Sequence, residues 1–129
     1  MNMEDLINAA RKENWEFVDE KIPKVCNDVK VQDKALKLLA DKNENIRDLG
    51  ASILEKARID SDRFSRMRSP LVRIMRNDDH IYVKYRAAFA LANHGPGEYM
   101  QEVLELIKQA SKDKAVSEFA KNYLRKLKQ

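Results

Sequence analysis

A nine-residue pattern occurs three times along the 129-residue chain, and it constrains the fold more than any other feature of the sequence. In the central copy, residues 83–91 (VKYRAAFAL), an apolar residue and a cation are followed by two small residues and a final leucine. Residues 46–54 (IRDLGASIL) have the same order 37 positions earlier, and residues 116–124 (VSEFAKNYL) keep the apolar positions 33 positions later without the cation. A repeat of about 35 residues is typical of chains built from stacked helix pairs.

The composition favours helices and a single folded domain, residues 1–129. Three Gly and three Pro leave little turn chemistry for β-hairpins, while 43% of the residues are hydrophobic and 36% are charged. Cys26 is the single cysteine, so no internal disulfide is expected. No apolar run is long enough for a signal peptide or a membrane span. We therefore expect a cytoplasmic protein without a membrane partner.

Helical patterns separated by short polar turns predict that consecutive helices pack as antiparallel pairs. The first 23 residues fit the repeat poorly. A terminal cap has this property, since it must cover the core on one side and face water on the other. The predicted units are this N-terminal helical cap, residues 1–23, and three helix pairs, residues 24–58, 61–95 and 97–128.

Glycine and proline make further predictions about individual helices. Pro23 is predicted to begin a helix that ends near Ala40 and turns Val29 inward. Gly50 lies inside the next helix, where glycine costs about 1 kcal/mol relative to alanine, so we expect another helix to pass close to it. Pro70 is predicted to bend its helix without breaking it.

Three sequence features together resemble the HEAT-repeat family, including the short HEAT-like repeats of the phycobilisome lyase class. They are a Pro-Leu pair in a first helix, an aspartate in the turn, and the pattern of residues 83–91 followed by Gly-Pro. The resemblance covers Lys24 to Leu127 and implies an all-α fold, a short right-handed α-solenoid of about three repeats. The residues that carry it are Pro70-Leu71, Asp41, Asp78, Ala87-Ala88 and Gly95-Pro96.

In this family the turn aspartate and the cation of the second helix are structural, and they form a ladder between stacked repeats. In the third repeat both positions are serines, Ser111 and Ser117, as expected for a last repeat with no neighbour to contact. The resemblance therefore implies a structural ladder in the first two repeats. Its members, six residues apart in each repeat, are Asp41 with Arg47 and Asp78 with Lys84.

One side of the second helices is predicted to bind a partner protein. In HEAT-like solenoids these helices line the concave surface, and the central one has three aromatics and an asparagine opposite its apolar face. Exposed aromatic clusters usually mark interaction sites. The alternative is that Phe89 or one of the tyrosines packs against a neighbouring helix. The predicted site comprises Tyr82, Tyr85, Phe89 and Asn93, flanked by Asp48 and Ser52 before it and by Glu118 and Asn122 after it.

An arginine-rich segment, residues 58–76, contains six arginines and two aspartates and therefore has a net charge of +4. The net charge of the whole chain is also +4. Arginine suits bidentate contacts to phosphate, so this segment is a candidate nucleic-acid surface. The alternative is a solvated face whose arginines pair with nearby aspartates. The candidate contacts are Arg63, Arg66, Arg73 and Arg76.

Catalytic chemistry has little support in the sequence. His80 falls in a turn and His94 at a helix end, neither with a second His or Cys at metal-ligand spacing, and Cys26 lies on an apolar helix face. No glycine-rich phosphate loop or nucleophile motif is present. We therefore expect a non-enzymatic monomer, without cofactor or metal, that acts as a scaffold or adaptor for an unidentified partner protein. Nucleic-acid binding is the alternative.

Overall fold

A computed structural model describes residues 2–128 and shows eight α-helices, with no strand in that part of the chain. The prediction of an all-α protein is confirmed. None of the helices in the described range is long and apolar enough to cross a membrane. A 3-10 turn, Gly97–Tyr99, precedes the seventh α-helix. The α-helices are α1 Met3–Arg11, α2 Trp15–Val25, α3 Val29–Leu38, α4 Glu44–Lys56, α5 Ser61–Asn77, α6 Ile81–His94, α7 Met100–Ala110 and α8 Ser117–Leu127.

Side-chain caps fix where the first five helices begin. In each case the carbonyl or carboxylate oxygen of an Asn or Asp accepts a backbone N–H from the first turn, which satisfies a donor that has no partner inside the helix. In α1 the cap is reciprocal, since Asp5 also accepts the backbone N–H of Asn2. The five capping residues are Asn2, Asn14, Asp28, Asn43 and Asp60.

The prediction that Pro23 begins a helix is wrong, because α2 continues through it to Val25 and α3 starts at Val29. Proline removes one backbone donor, and here the partner of that donor would be the carbonyl of the exposed Asp19, which water can reach. Asp28 supplies the cap that starts α3. Val29, predicted to face inward, is therefore the first residue of α3 and is 53% exposed.

Consecutive helices pack against each other, α3 on α4, α5 on α6 and α7 on α8. The second helices also contact one another, α4 with α6 and α6 with α8, while α1 and α2 pack on α4. Helix α6 thus contacts four helices, α4, α5, α7 and α8. One hydrophobic cluster extends through all eight helices, and its largest fully buried side chains include Phe64, Phe89, Leu6, Ile46, Leu49 and Leu91.

Gly50 lies where α4 packs tightly against α3, as its position in the helix predicted. A β-carbon at residue 50 would lie 2.6 Å from the carbonyl oxygen of Ala35 and 3.0 Å from the β-carbon of Leu38. The first contact is with backbone, which cannot rotate away. The lack of a side chain at Gly50 therefore allows the two helices to pack directly.

Gln32 is a fully buried polar residue on α3 that joins the first repeat to the segment after α4. Its amide donates to the carbonyl oxygen of Cys26 at 2.9 Å and to that of Arg58 at 3.2 Å. Cys26 itself is buried, as predicted, and burial raises the pKa of its thiol. Buried amides of this kind are tolerated because their hydrogen bonds are satisfied.

Candidate functional site

The surface formed by α4, α6 and α8, here called the central face, carries most of the residues predicted to bind a partner. Helix α6 lies in the middle and packs on both α4 and α8. The amide of Asn93 on α6 donates to the carbonyl oxygen of Glu55 on α4 at 2.7 Å. Its own oxygen accepts from the ammonium group of Lys126 on α8, also at 2.7 Å. Asn93 thus holds the three helices together at one end of the central face.

A buried ionic cluster lies between α4, α6 and α8 and is centred on Glu55, which is fully buried. The Glu55 carboxylate accepts hydrogen bonds from the hydroxyl of Tyr123 at 2.5 Å and from Nη1 of Arg86 at 3.2 Å. Nε of Arg86 lies 3.5 Å from Oδ1 of Asp48. Glu55, Arg86, Asp48 and Tyr123 therefore link α4, α6 and α8 in one network that sequence reasoning missed.

The ionisation of the cluster follows from its burial. Burial raises the pKa of Asp48, while the charge of Arg86 and a hydrogen bond from Ser52 at 3.0 Å act in the opposite direction. Burial also raises the pKa of Tyr123, and the charge of Glu55 raises it further, so the hydroxyl remains a donor. Within residues 2–128, Nε of Arg86 has no hydrogen-bond partner. One arginine thus lies between two acidic side chains.

The prediction that Tyr85 and Phe89 face outward on α6 is wrong. Tyr85 is 4% exposed and Phe89 is fully buried. The ring of Phe89 stacks on that of Tyr123, with the centroids 5.3 Å apart. The prediction assumed that α6 has one buried side, whereas α6 has helix neighbours on several sides and buries most of its circumference.

Two large aromatic side chains are exposed on or beside the central face, Tyr82 at 45% and Phe119 at 43%. Tyr82 lies near the start of α6, as predicted. Phe119 on α8 also lies outward, with the ammonium of Lys56 5.0 Å and the guanidinium of Arg86 5.7 Å from its ring centroid. These cation–π contacts orient the ring while leaving much of it accessible.

The other predicted members of the binding site differ in accessibility. Ser52 is buried and bonded to Asp48, which is partly buried in the ionic cluster. Glu118 and Asn122 are both exposed on α8. The side-chain oxygen of Asn122 accepts a hydrogen bond from Arg125, one turn later. Of the predicted set, Tyr82, Glu118 and Asn122 are therefore the most accessible to a partner.

A cavity of about 520 Å³ opens beside the central face, between the start of α2, the start of α4, the start of α6 and the turn before α8. Trp15 and Tyr82 provide its aromatic walls, and Arg86 also borders it. We call it the acidic cavity, because it is lined by four carboxylic acid side chains, those of Glu13, Asp19, Glu44 and Asp48.

Some of the turn residues predicted to form a ladder join α4 to the turn between α5 and α6. Arg47 forms two hydrogen bonds to the Asp78 carboxylate, from Nε at 2.7 Å and from Nη2 at 3.2 Å. Nη1 of Arg47 donates to the carbonyl oxygen of Asp41 at 2.9 Å. Asp78 is 3% exposed, so this ion pair is largely shielded from water. Lys84 forms no ion pair within residues 2–128.

The third turn has an aspartate as well, so the alignment that placed Ser111 and Ser117 at the ladder positions is wrong. Asp113 accepts the backbone N–H of Ala115 at 3.0 Å, and Asp78 likewise accepts the N–H two residues later at 2.9 Å. Ser111 instead donates to a carbonyl at the end of α7. Between its aspartate and the next buried apolar residue, the third turn is two residues shorter than the first two turns. This difference shifted the third copy in the sequence alignment.

The four candidate nucleic-acid contacts do not act as one surface. Arg63 donates to Gln32 and pairs with Asp33 at 3.2 Å, which ties α5 to α3. Nε of Arg76 donates to Glu102 at 2.7 Å, which ties α5 to α7. The other two candidates, Arg66 and Arg73, are exposed and form no ion pair within residues 2–128.

His94 is a packing residue. Its ring lies against Phe64, with the centroids 4.8 Å apart, and its Nε2 donates to the carbonyl oxygen of Leu54 at 2.7 Å. Burial lowers the pKa of His94, the hydrogen bond to Leu54 acts in the opposite direction, and the charge of Lys126 lowers it further. His94 is therefore held neutral between α4 and α5 at neutral pH.

Stability is expected to fall when the pH drops below about 6.5, the pKa of an unperturbed histidine. The pKa of His94 is lower in the folded state, so the unfolded chain binds the proton more tightly. The contribution of His94 to stability is therefore complete above the unfolded pKa and is lost as the pH falls toward the folded pKa. His94→Gln keeps a donor for Leu54 but does not titrate. Unfolding midpoints should decline less steeply with falling pH in this variant. Equal slopes would contradict the assignment.

No three His, Cys, Asp or Glu side chains within residues 2–128 are grouped as a metal site would require. The sequence matches no known family model, and no curated protein or solved structure is significantly similar to it.

Proposed function

We propose that this chain is a small HEAT-like α-solenoid that acts as a non-enzymatic scaffold and binds a segment of a partner protein on the central face. In such a solenoid the second helices line the concave side. The threefold sequence repeat and the contacts of α3 with α4, α5 with α6 and α7 with α8 support this proposal.

The observation that carries the proposal is the exposure of Tyr82 and Phe119 beside a rigid network. Large aromatics that remain accessible are the residues most often found at the energetic centre of protein interfaces. The buried cluster of Glu55, Arg86 and Tyr123 fixes the helices that carry them, so little conformational freedom would be lost on binding.

A second candidate function is nucleic-acid binding through Arg66 and Arg73. Both are exposed, and neither has an ion pair within residues 2–128. Arg63 and Arg76 are already engaged in ion pairs with neighbouring repeats. This surface would therefore provide few phosphate contacts, and its affinity for nucleic acid would depend only weakly on salt concentration. Protein binding on the central face is therefore the better supported function.

Affinity capture from an extract of the cells that produce the protein distinguishes the two functions. We expect Tyr82→Ser combined with Phe119→Ser to lose the captured partner, because both side chains are accessible and their removal leaves the core intact. Arg66→Ser combined with Arg73→Ser is the matched control and should retain it. If only the arginine variant lost its partner, and nuclease removed that partner from the wild type, nucleic-acid binding would replace protein binding as the function.

A further inference from the structure

Two of the four carboxylates of the acidic cavity form no ion pair within residues 2–128. They are those of Glu13 and Asp19, which form no side-chain hydrogen bond with a cation in that range either. The one ion-pair partner of Glu44 in this part of the chain is Nε2 of His80, at 3.8 Å. Asp48 is the exception, since it lies beside Arg86. The lining of the cavity therefore carries more negative than positive charge.

Elsewhere in the structure comparable carboxylates are paired between repeats. Asp33 pairs with Arg63, Asp78 with Arg47 and Glu102 with Arg76. The whole chain carries +4, whereas the lining of the cavity combines four acidic side chains with one arginine. The local charge is thus opposite in sign to that of the protein as a whole, which favours a cationic ligand at this position.

The aromatic walls favour the same kind of ligand. Trp15 and Tyr82 line the cavity together with the carboxylates. The negative faces of aromatic rings attract ammonium and guanidinium groups, and Trp does so most strongly. A volume of about 520 Å³ lies within the range of ligand sites, so a long side chain fits together with adjoining backbone.

We propose that the partner segment bound by the central face carries a lysine or arginine whose charged group enters the acidic cavity. This inference rests on the proposed function and specifies the chemistry of the partner. Because Tyr82 lies both at the start of α6 and on the cavity wall, one segment reaches the cavity while it contacts the exposed aromatics. The carboxylates of Glu13 and Asp19, which form no ion pair within residues 2–128, supply the charge that attracts this group.

The test is a selection from a phage library of random 16-residue peptides, made on the folded full-length chain. Enriched peptides are then synthesised, and their affinities are measured by fluorescence anisotropy. The cavity variant combines Glu13→Lys with Asp19→Lys, and a second variant with Glu13→Gln and Asp19→Asn preserves side-chain size. The matched control combines Glu16→Lys with Glu20→Lys, which makes the same charge change at exposed positions of α2 outside the cavity.

The proposal predicts enriched peptides with a basic residue at one recurring position. Their affinity should fall about tenfold or more in the cavity variant, fall less in the size-preserving variant and change little in the control. Replacing the basic residue of the peptide with Gln should cause a similar loss in the wild type and little further loss in the cavity variant, since the two changes remove the same interaction.

Two other outcomes separate this inference from the function on which it rests. If Tyr82→Ser with Phe119→Ser abolished binding but the cavity variant bound as tightly as the wild type, the cationic partner would be wrong and the central face would stand. If no peptide were enriched, or if none of these variants weakened the enriched ones, both proposals would be overturned. Circular dichroism melting curves would establish that each variant is folded.

Discussion

Glu55→Ala is expected to lower the free energy of unfolding by about 3–5 kcal/mol, the range for a buried ion pair that loses one partner. Glu55 is fully buried and accepts hydrogen bonds from Arg86 and Tyr123. Its removal leaves Asp48, at 3.5 Å, as the one ion-pair partner of Arg86 within residues 2–128, and it leaves the Tyr123 hydroxyl without its acceptor. The loss therefore weakens the attachment of α8 and of α6 to α4 at once.

Urea denaturation followed by circular dichroism measures this effect. Glu118→Ala, at an exposed position of α8, is the control and should change stability by about 0.5 kcal/mol or less. Glu55→Gln should be intermediate, because it removes the charge and keeps an acceptor. In a double-mutant cycle with Tyr123→Phe, the two changes should be non-additive, as expected for groups in direct contact. A loss under about 1 kcal/mol for Glu55→Ala would show that the ionic cluster does not hold the helices together.

Phe89→Ala is expected to cost about 3–5 kcal/mol, the range for a buried phenylalanine cut back to alanine. Phe89 is fully buried on α6, and its ring stacks on Tyr123. The substitution leaves a cavity between α6 and α8 and removes the aromatic contact. The same denaturation measurement applies.

Phe119→Ala is the matched control for Phe89→Ala, since it removes the same side chain from a position that is 43% exposed. It loses contacts with Lys56 and Arg86 that are worth about 1 kcal/mol at such sites, and it leaves no buried cavity. We therefore expect a loss of about 1 kcal/mol. Equal losses for the two phenylalanines would mean that they do not differ in burial, and the assignment of Phe119 to the accessible surface would fail.

Local signals in the sequence predicted much of the secondary structure. The all-helical content and the close helix contact at Gly50 each depend on local signals, and each was predicted correctly. Pro23 was misread because the cost of proline depends on whether the lost hydrogen bond faces water, which the tertiary structure decides.

The side chains of the central face were harder to predict because their environment depends on contacts between distant parts of the chain. Tyr123 and Glu55 are 68 residues apart in sequence, and no periodicity signals their hydrogen bond. One signal for the accessible position of Phe119 was present. It lies six residues after Asp113, as Arg47 lies six after Asp41, and that position falls outside the core in both repeats.

The most direct test of binding at the central face is site-specific photo-crosslinking in the cells that produce the protein. The photoreactive amino acid p-benzoylphenylalanine would replace Phe119 or Tyr82 and, as a control, Arg66 on α5. The account predicts a discrete cross-link to a protein from the first two positions and none from the control, because the partner covers α6 and α8 and leaves α5 free. Cross-links from Arg66 without any from Tyr82 or Phe119 would contradict it.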